Sequence, residues 1–409
     1  MSKLSLKKTK IFKMHNIQGL LFSTGSCGFK GKNKKDLVII QLDKDSKTSA
    51  VFTSSKTISE PVKWSKKNLK NDIRAIVVNS GNANALTGRK GYNSIKKYTK
   101  LIAEKINCSS KNILVASTGV IGEKLDYKKI NAIIPALINK SKKKCCSWNS
   151  FSEAIMTTDT TPKFASRKIK FGKEVALISG VAKGSGMIHP KMGTMLAFIF
   201  TDANIPKKIL NKILLNGIQN SFNSITVDGD TSTSDSVFFT ATCKKRKISI
   251  NSLQSRKYKE FSKEFNNLLL DLAIQIVRDG EGATKLIKIN VKNAKNYLIA
   301  KKVAFSIANS LLVKTLFTSN ELNFGRIFMA IGKSNESINQ EKISFSLVKY
   351  LLAANCVLLI KNNLNEIKKY MNKKELSLEI DLNNGNSHST VYTCDLTNEY
   401  IKINTSYLS

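Results

Sequence analysis

Short runs of apolar and β-branched residues alternate with polar turns along the chain, and this pattern predicts buried strands. The clearest runs in the first half occupy residues 75–79, 112–116, 175–181 and 195–200. Two later runs, 375–382 and 389–396, flank Asn383-Asn384-Gly385 and predict a hairpin. The apolar run 351–360 predicts a short buried element.

Apolar positions spaced by three and four residues predict helices between these strands. The first helix begins near Tyr92, and its apolar face carries Ile95, Tyr98, Leu101, Ile102 and Ile106. A second opens at Pro206, because proline is tolerated in a first helical turn. A third spans residues 257–277. Strands and helices do not alternate strictly, so we expect a mixed α/β fold of the α+β kind rather than a doubly wound parallel sheet.

The charge of the chain is unusual. Its 409 residues include 67 Lys and Arg against 29 Asp and Glu, a formal net charge of +38. Such a charge is typical of nucleic-acid-binding proteins. However, only seven of the basic residues are Arg, the side chain best suited to base and phosphate recognition, and the lysines are spread over the whole sequence. We therefore expect a lysine-rich solvated surface and no nucleic-acid partner.

Several classes of site and location are disfavoured by the residue usage. The seven cysteines include no C-x-x-C pair, which favours a reducing compartment over a disulfide scaffold. No apolar run approaches the ~18 residues of a membrane span, so we expect a cytoplasmic protein with no membrane partner. His15, His189 and His388 stand in no metal-binding or Ser-His-Asp pattern, and neither a metal nor a histidine triad is expected.

One loop, within residues 180–199, carries reactive chemistry. A strand ends there in a glycine-rich segment, and the chain re-enters a strand just after Gly193-Thr194. Glycine before threonine leaves the Gly193 carbonyl open to attack by the Thr194 hydroxyl. Cleavage at that bond would give Thr194 a free α-amine, so that one residue holds both nucleophile and base. From these residues alone, an ordinary turn at Gly193 is the alternative interpretation.

Polar and glycine-containing motifs recur along the chain in a fixed order. They lie at 81–85, 87–88, 116–122, 156–160, 162–163, 180–194, 227–233, 281–285, 393–397 and 403–404. Together they resemble the motifs of the glutamate N-acetyltransferase, or ornithine acetyltransferase, family of arginine biosynthesis. The resemblance extends over nearly the whole chain, from about residue 19 to residue 409.

The resemblance implies a precursor that cuts itself at Gly193–Thr194. The pieces would be an α chain, 1–193, and a β chain, 194–409, which stay together and pair again as a heterotetramer. Its fold is expected to resemble the layered sandwich of N-terminal-nucleophile enzymes, with a connectivity of its own. This chain has Gly193 and Lys191 where the family commonly has Ala and Asn.

Site residues are carried over by the same resemblance. Thr194 would be the nucleophile, and the Thr118 hydroxyl with the Gly119 backbone N–H would form the oxyanion hole. The implied substrate-binding residues are Thr160, Lys183, Thr194, Glu281, Asn404 and Ser409. Read without the family, these positions have plainer interpretations: a turn after a strand at 118–119, a surface lysine at 183 and a frayed end at the C-terminus.

The implied reaction moves an acetyl group from N²-acetyl-L-ornithine to L-glutamate through an acetyl-Thr194 intermediate. No cofactor is expected, and the sequence leaves open whether acetyl-CoA also serves as an acetyl donor. Two alternatives remain at this stage. One is a related self-processing aminopeptidase or amidase, in which water is the acceptor. The other is an uncleaved, inactive relative.

Overall fold

The computed structural model describes residues 13–142, 147–189, 195–319, 321–360 and 363–406. Within these ranges the chain forms fifteen strands in three sheets, together with eleven α-helices. The predicted mixed α/β class is therefore confirmed. Gly193, Thr194, Lys191 and Ser409 lie outside the described residues.

The first sheet has four strands in the order β1-β2-β4-β5. Its strands are β1 (Leu20–Gly25), β2 (Leu37–Leu42), β4 (Ala75–Asn82) and β5 (Ile113–Val120). The pairs β1–β2 and β2–β4 are antiparallel, whereas β4 and β5 are parallel and are joined through the helix α2 (Gly88–Lys105). The predicted strands at 75–79 and 112–116 and the predicted helix near Tyr92 are thus present, and the helix begins four residues earlier.

The second sheet has five strands in the order β3-β9-β8-β7-β6. Its strands are β3 (Lys47–Phe52), β6 (Lys163–Phe171), β7 (Glu174–Lys183), β8 (Leu196–Asn204) and β9 (Ser236–Ser249). Strand β7 pairs with β8 antiparallel, and β8 pairs with β9 parallel. The predicted runs at 175–181 and 195–200 are therefore neighbours, on either side of the Gly193–Thr194 bond.

These two sheets pack face to face between helices because their strands are apolar on both faces. In β2, Val38 and Ile40 belong to the core shared with Phe198 of β8, while Leu37 and Ile39 pack on the opposite side. That opposite side is covered by α2 and α3 (Tyr127–Lys142). The outer face of the second sheet is covered by α5 (Lys207–Gln219) and α6 (Arg256–Arg278). The result is a four-layered α–β–β–α sandwich; the motif resemblance predicted a layered sandwich but not the number or order of its layers.

Three more helices pack on this sandwich. They are α1 (Glu60–Asn68), α4 (Trp148–Ile155) and the C-terminal α11 (Asn398–Ser406). Trp148 and Phe151 of α4 enter the core between the two sheets. Helix α5 follows Pro206 and α6 covers 257–277, so both predicted helices are present.

The third sheet has six strands in the order β13-β12-β11-β14-β10-β15. Its strands are β10 (Leu286–Ala294), β11 (Ser344–Leu347), β12 (Tyr350–Ala354), β13 (Val357–Leu358), β14 (Glu375–Asp381) and β15 (Ser387–Cys394). Its core is shared with four helices, α7 (Tyr297–Ala308), α8 (Leu311–Thr318), α9 (Gly325–Gly332) and α10 (Leu364–Met371).

Two sequence predictions in this region are wrong. The strands β14 and β15 do not form a hairpin, because β10 lies between them, parallel to β14 and antiparallel to β15. The run 351–360 is not one buried element: Leu352 and Ala353 are buried, but most of the run forms the exposed sheet edge at β12 and β13. Leu351, Val357 and Leu358 are 46%, 56% and 50% exposed there. Local apolar patterning could not show either outcome, because both depend on which distant strand arrives alongside.

Candidate active site

A cleft opens at the edge of the sandwich where several strands of the first two sheets begin or end. The open space of the cleft, together with the adjoining solvent, amounts to about 570 Å³. Its lining residues are Ala83, Thr118, Gly119, Ile121, Thr157, Thr158, Lys183, Gly186, Met187, Ser232, Thr233, Ser234, Glu281 and Asn404. The structure thus gathers five of the predicted site residues from four separate parts of the chain: Thr118, Gly119, Lys183, Glu281 and Asn404.

Thr118 and Gly119 lie at the end of β5, where its pairing with β4 becomes irregular. Gly119 has φ +129°, a conformation that residues with a Cβ rarely adopt. A Cβ there would lie 2.3 Å from the carbonyl carbon of Gly81 on β4. The close approach of the two strands therefore requires glycine at position 119. This is a more specific requirement than that of the plain turn considered from sequence.

Lys183, at the end of β7, is buried and donates a hydrogen bond from Nζ to Oγ1 of Thr118 over 3.0 Å. It is therefore not a surface lysine. An ammonium group can only donate, so the Thr118 oxygen accepts and its own hydrogen stays free to donate elsewhere. Burial lowers the pKa of Lys183, and the carboxylates of Asp159, Asp235 and Glu281 oppose that shift.

A buried network of charged side chains contacts the backbone at the end of β7. Lys163 is fully buried, with Nζ 2.6 Å from Oδ1 of Asp159 and 2.5 Å from Oδ2 of Asp279. Asp159 Oδ1 also accepts the backbone N–H of Gly184 over 2.7 Å. Burial by itself opposes the charge on Lys163, but the two carboxylates outweigh it and raise the pKa of that amine. The network thereby holds the residue that follows Lys183.

Thr160 lies at the surface beside this network. Its backbone N–H and its hydroxyl both donate to the carboxylate of Asp279, over 3.0 Å for the N–H. Of the threonines in the motif 156–160, Thr157 and Thr158 are among the described residues that line the cleft, and Thr160 is not. The Thr158 hydroxyl bonds that of Ser185 over 2.7 Å. The sequence motif 156–160 marked the segment but could not show which of its threonines faces the cleft, and substrate binding by Thr160 stays a prediction.

Glu281 and Asn404 also line the cleft, and they contact each other. Asn404 Nδ2, on α11, donates to Oε2 of Glu281 over 2.8 Å. The backbone N–H of Glu281 donates to the Ser185 carbonyl over 2.9 Å. A Cβ at Gly186 would lie 2.4 Å from the Glu281 carboxyl carbon, so glycine there makes room for the acid. The C-terminal helix is thus docked at the site rather than frayed at position 404.

Two aspartates that were assigned no role from sequence hold backbone N–H groups here; Asp235 is fully buried and Asp228 is partly buried. Asp235, just before β9, accepts the backbone N–H of Met195 with Oδ1 over 2.6 Å. Asp228 accepts the N–H groups of Met187 and Ile188 over 2.5 and 2.9 Å. Burial raises the pKa of both acids, to about 6 for Asp228 and well above the usual range for Asp235. The sequence motif 227–233 contains Asp228 and ends two residues before Asp235, but it indicated no role for either side chain.

A family model decides the relationship of this chain to known proteins. The ArgJ family model matches residues 21–409. The chain belongs to the ArgJ family. The resemblance to ornithine acetyltransferases seen in its motifs is thereby confirmed, and so is the prediction that it is an enzyme of that family.

Curated relatives of this ArgJ-family chain cover almost its full length. It is 41% identical over 397 residues to the arginine biosynthesis bifunctional protein ArgJ of Bradyrhizobium diazoefficiens, covering 96% of each chain. It is 40% identical over 400 residues to the protein of that name from Bartonella henselae, covering 98% of this chain and 97% of the relative. The solved arginine biosynthesis bifunctional protein argJ of Bacillus halodurans shares 36% identity at a TM-score of 0.49, covering 51% of this chain and 98% of that one.

None of the described helices of this ArgJ-family chain is long and apolar enough to cross a membrane. The cytoplasmic location stays a prediction.

Proposed function

We propose that this enzyme transfers the acetyl group of N²-acetyl-L-ornithine to L-glutamate through an acetyl ester on Thr194. The observation that carries the proposal is the buried Lys183–Thr118 pair beside Gly119, in a cleft that is also lined by Glu281 and Asn404. The cleft lining also includes Met187 and the end of β7 at Lys183, which precede the predicted cleavage site in the sequence by a few residues.

The enzyme first matures by cutting its own chain. The Thr194 hydroxyl attacks the Gly193 carbonyl carbon, the bond from that carbon to the Thr194 nitrogen breaks, and the nitrogen takes the hydroxyl proton. Water then hydrolyses the resulting ester, leaving a carboxylate on Gly193 and a free Thr194. Because the cut falls between β7 and β8, which pair over six residues, the two pieces remain joined within one sheet.

In the acetyl transfer, the Thr194 hydroxyl attacks the acetyl carbonyl and its α-amine takes the proton. The Thr118 hydroxyl and the Gly119 N–H stabilise the oxyanion. Lys183 supports the role of Thr118 as an oxyanion donor. Its ammonium group donates to the Thr118 oxygen, so the Thr118 hydroxyl hydrogen stays free to donate to the substrate. The bond from the acetyl carbon to the ornithine nitrogen breaks, and ornithine leaves with the proton. In the second half-reaction the α-amine of glutamate attacks the acetyl ester, the bond from the acetyl carbon to Thr194 Oγ1 breaks, and a proton passes from the glutamate nitrogen through the Thr194 α-amine to Oγ1.

The walls of the cleft supply groups for an amino acid with charged ends. Lys183 is a cation suited to an α-carboxylate, and Glu281 is an anion suited to an ornithine amine. Asn404 holds the Glu281 carboxylate in place over 2.8 Å. We place Thr160 and Ser409 in the same binding role by family resemblance, and Thr157 and Thr158 by their position in the lining.

Mass spectrometry of the freshly purified chain under denaturing conditions tests the maturation. We expect two fragments, 1–193 and 194–409, and a single uncut, inactive chain for Thr194→Ala. Thr390→Ala, on β15 and bonded to Asn290, is the matched control and is expected to be cut normally. Cutting of Thr194→Ala at the same bond would refute Thr194 as the nucleophile.

Product analysis tests the chemistry. With N²-acetyl-L-ornithine alone the enzyme should release little ornithine beyond one equivalent per site, and adding L-glutamate should give stoichiometric N-acetylglutamate. Sustained release of acetate without glutamate would favour the aminopeptidase or amidase alternative. Acetyl-CoA in place of acetylornithine shows whether a second donor is used. A light-scattering mass near twice the 45.4 kDa of one chain would support two α and two β pieces.

A further inference from the structure

The hydrogen bond between Lys183 and Thr118 depends on the charge of the lysine. An ammonium Nζ donates to Oγ1 of Thr118 over 3.0 Å and leaves the hydroxyl hydrogen free for a substrate oxygen. A neutral amine instead carries a lone pair that accepts the Thr118 hydrogen, which is then lost to the substrate. Thr118 therefore serves as an oxyanion donor only while Lys183 is protonated.

Burial works against the ammonium form of Lys183, which is only 3% exposed. Desolvation lowers the pKa of this amine, and among the carboxylates that oppose the shift Asp159 has the largest effect. The charged groups whose fields act on Lys183 are Asp159, Lys163, Asp235, Glu281 and Lys30. Two of these groups are cations, so the carboxylates alone must stabilise the charge on Lys183.

Asp159 is fixed beside Lys183 by two hydrogen bonds to its Oδ1. The backbone N–H of Gly184, the residue after Lys183, donates over 2.7 Å, and Lys163 Nζ donates over 2.6 Å. The Asp159 side chain is fully buried, so solvent screens its field little. Burial alone would raise the pKa of Asp159, but Lys163 and Lys183 outweigh it and lower that pKa. Asp159 is thus a fixed negative charge at the Lys183 backbone.

The network around Asp159 has more negative than positive charge. Lys163 contributes one cation, whereas Asp159 and Asp279 contribute two carboxylates, 2.6 and 2.5 Å from its Nζ. One positive and two negative groups leave a single negative charge, which Lys183 balances. Because buried charges need partners, this excess favours the ammonium form of Lys183.

We propose that Asp159 is a positioning residue for the oxyanion donor: its carboxylate fixes the backbone after Lys183 and keeps Lys183 in the ammonium form that leaves the Thr118 hydrogen free. This inference rests on the proposed function, because it assumes that Thr118 stabilises an oxyanion during acetyl transfer. Its consequence is a pH dependence. The value of kcat/KM falls when Lys183 loses its proton, and the charge of Asp159 sets the pH at which this happens.

Asp159→Asn tests the proposal against a matched variant, Asp279→Asn. Asparagine keeps an oxygen that can accept the Gly184 N–H and removes the charge. Both variants leave Lys163 with one carboxylate, so they share any loss of stability within the network, but only Asp159 bonds the residue after Lys183. Readouts are the cut fraction by intact mass, the thermal midpoint, and kcat/KM for N²-acetyl-L-ornithine per cut chain across neutral and alkaline pH. The substrate amine titrates alike with every variant, so differences between the profiles report the enzyme.

We expect the alkaline limb of kcat/KM to move to lower pH by about one unit or more in Asp159→Asn, and by less than about half a unit in Asp279→Asn. A limb that does not move in Asp159→Asn, or that moves equally in both variants, would overturn this inference alone if the wild-type chain is cut and active. A wild-type chain that is not cut, or that transfers no acetyl group, would overturn the proposed function itself.

Lys163→Gln gives a second test if Asp159→Asn does not fold or is not cut. It keeps the Asp159 carboxylate and removes a cation that opposes the protonation of Lys183. The alkaline limb should then move to higher pH. A limb that stays in place or moves to lower pH would overturn the inference.

Discussion

Replacing Thr118 by Val removes one hydroxyl from the proposed oxyanion hole while keeping the branched shape of the side chain. The Thr118 hydrogen is the donor left free by Lys183, whose Nζ lies 3.0 Å from the oxygen. Loss of one such donor lowers kcat by about 10²–10³-fold, or about 2.7–4 kcal/mol, while the Gly119 N–H sustains the remaining activity. The variant also leaves the buried Lys183 amine without this acceptor, so we expect a lower thermal midpoint.

The assay measures ornithine release and N-acetylglutamate formation per cut chain, with the cut fraction determined by mass spectrometry. Because the donor acts mainly in the transition state, kcat and kcat/KM should fall together. Thr118→Ser keeps the hydroxyl and is the control, expected within about tenfold of the wild type. A Thr118→Val enzyme with kcat within threefold of the wild type would refute the assignment of Thr118.

Three further predictions concern the supports of the site. Gly119→Ala should abolish turnover and lower the thermal midpoint, because its Cβ would collide with β4; normal kinetics would contradict this. Lys163→Met should cost about 3–5 kcal/mol in urea unfolding, because it leaves two buried carboxylates unpaired; a change below 1 kcal/mol would contradict it. Burial raises the Asp228 pKa to about 6, so the folded state binds the proton more tightly. The free energy of unfolding should therefore fall as pH rises from about 4 to 6. Asp228→Asn should remove this part of the pH dependence of the unfolding free energy. The same pH dependence in both proteins would contradict the prediction.

Local patterning predicted the elements that build the site but not how the third sheet is assembled. The strands at 75–79, 112–116, 175–181 and 195–200 and the helices near Tyr92 and Pro206 are all present. The order of strands in the third sheet could not be predicted from local patterning, because β10 lies between β14 and β15 but precedes them by almost a hundred residues. Strand pairing at such a distance leaves no mark on the periodicity of either strand.

The sequence alone determined the family of this protein, its mixed α/β class and the segments that form its cleft, because apolar spacing and ordered motifs are local properties of the chain. Tertiary structure alone decided which side chains of those segments matter. Among many lysines it buried Lys183 against Thr118, it turned Thr157 and Thr158 into the cleft, and it set Asp235 against Met195. Burial and long-range hydrogen bonding assign these roles, and both arise only when distant strands come together.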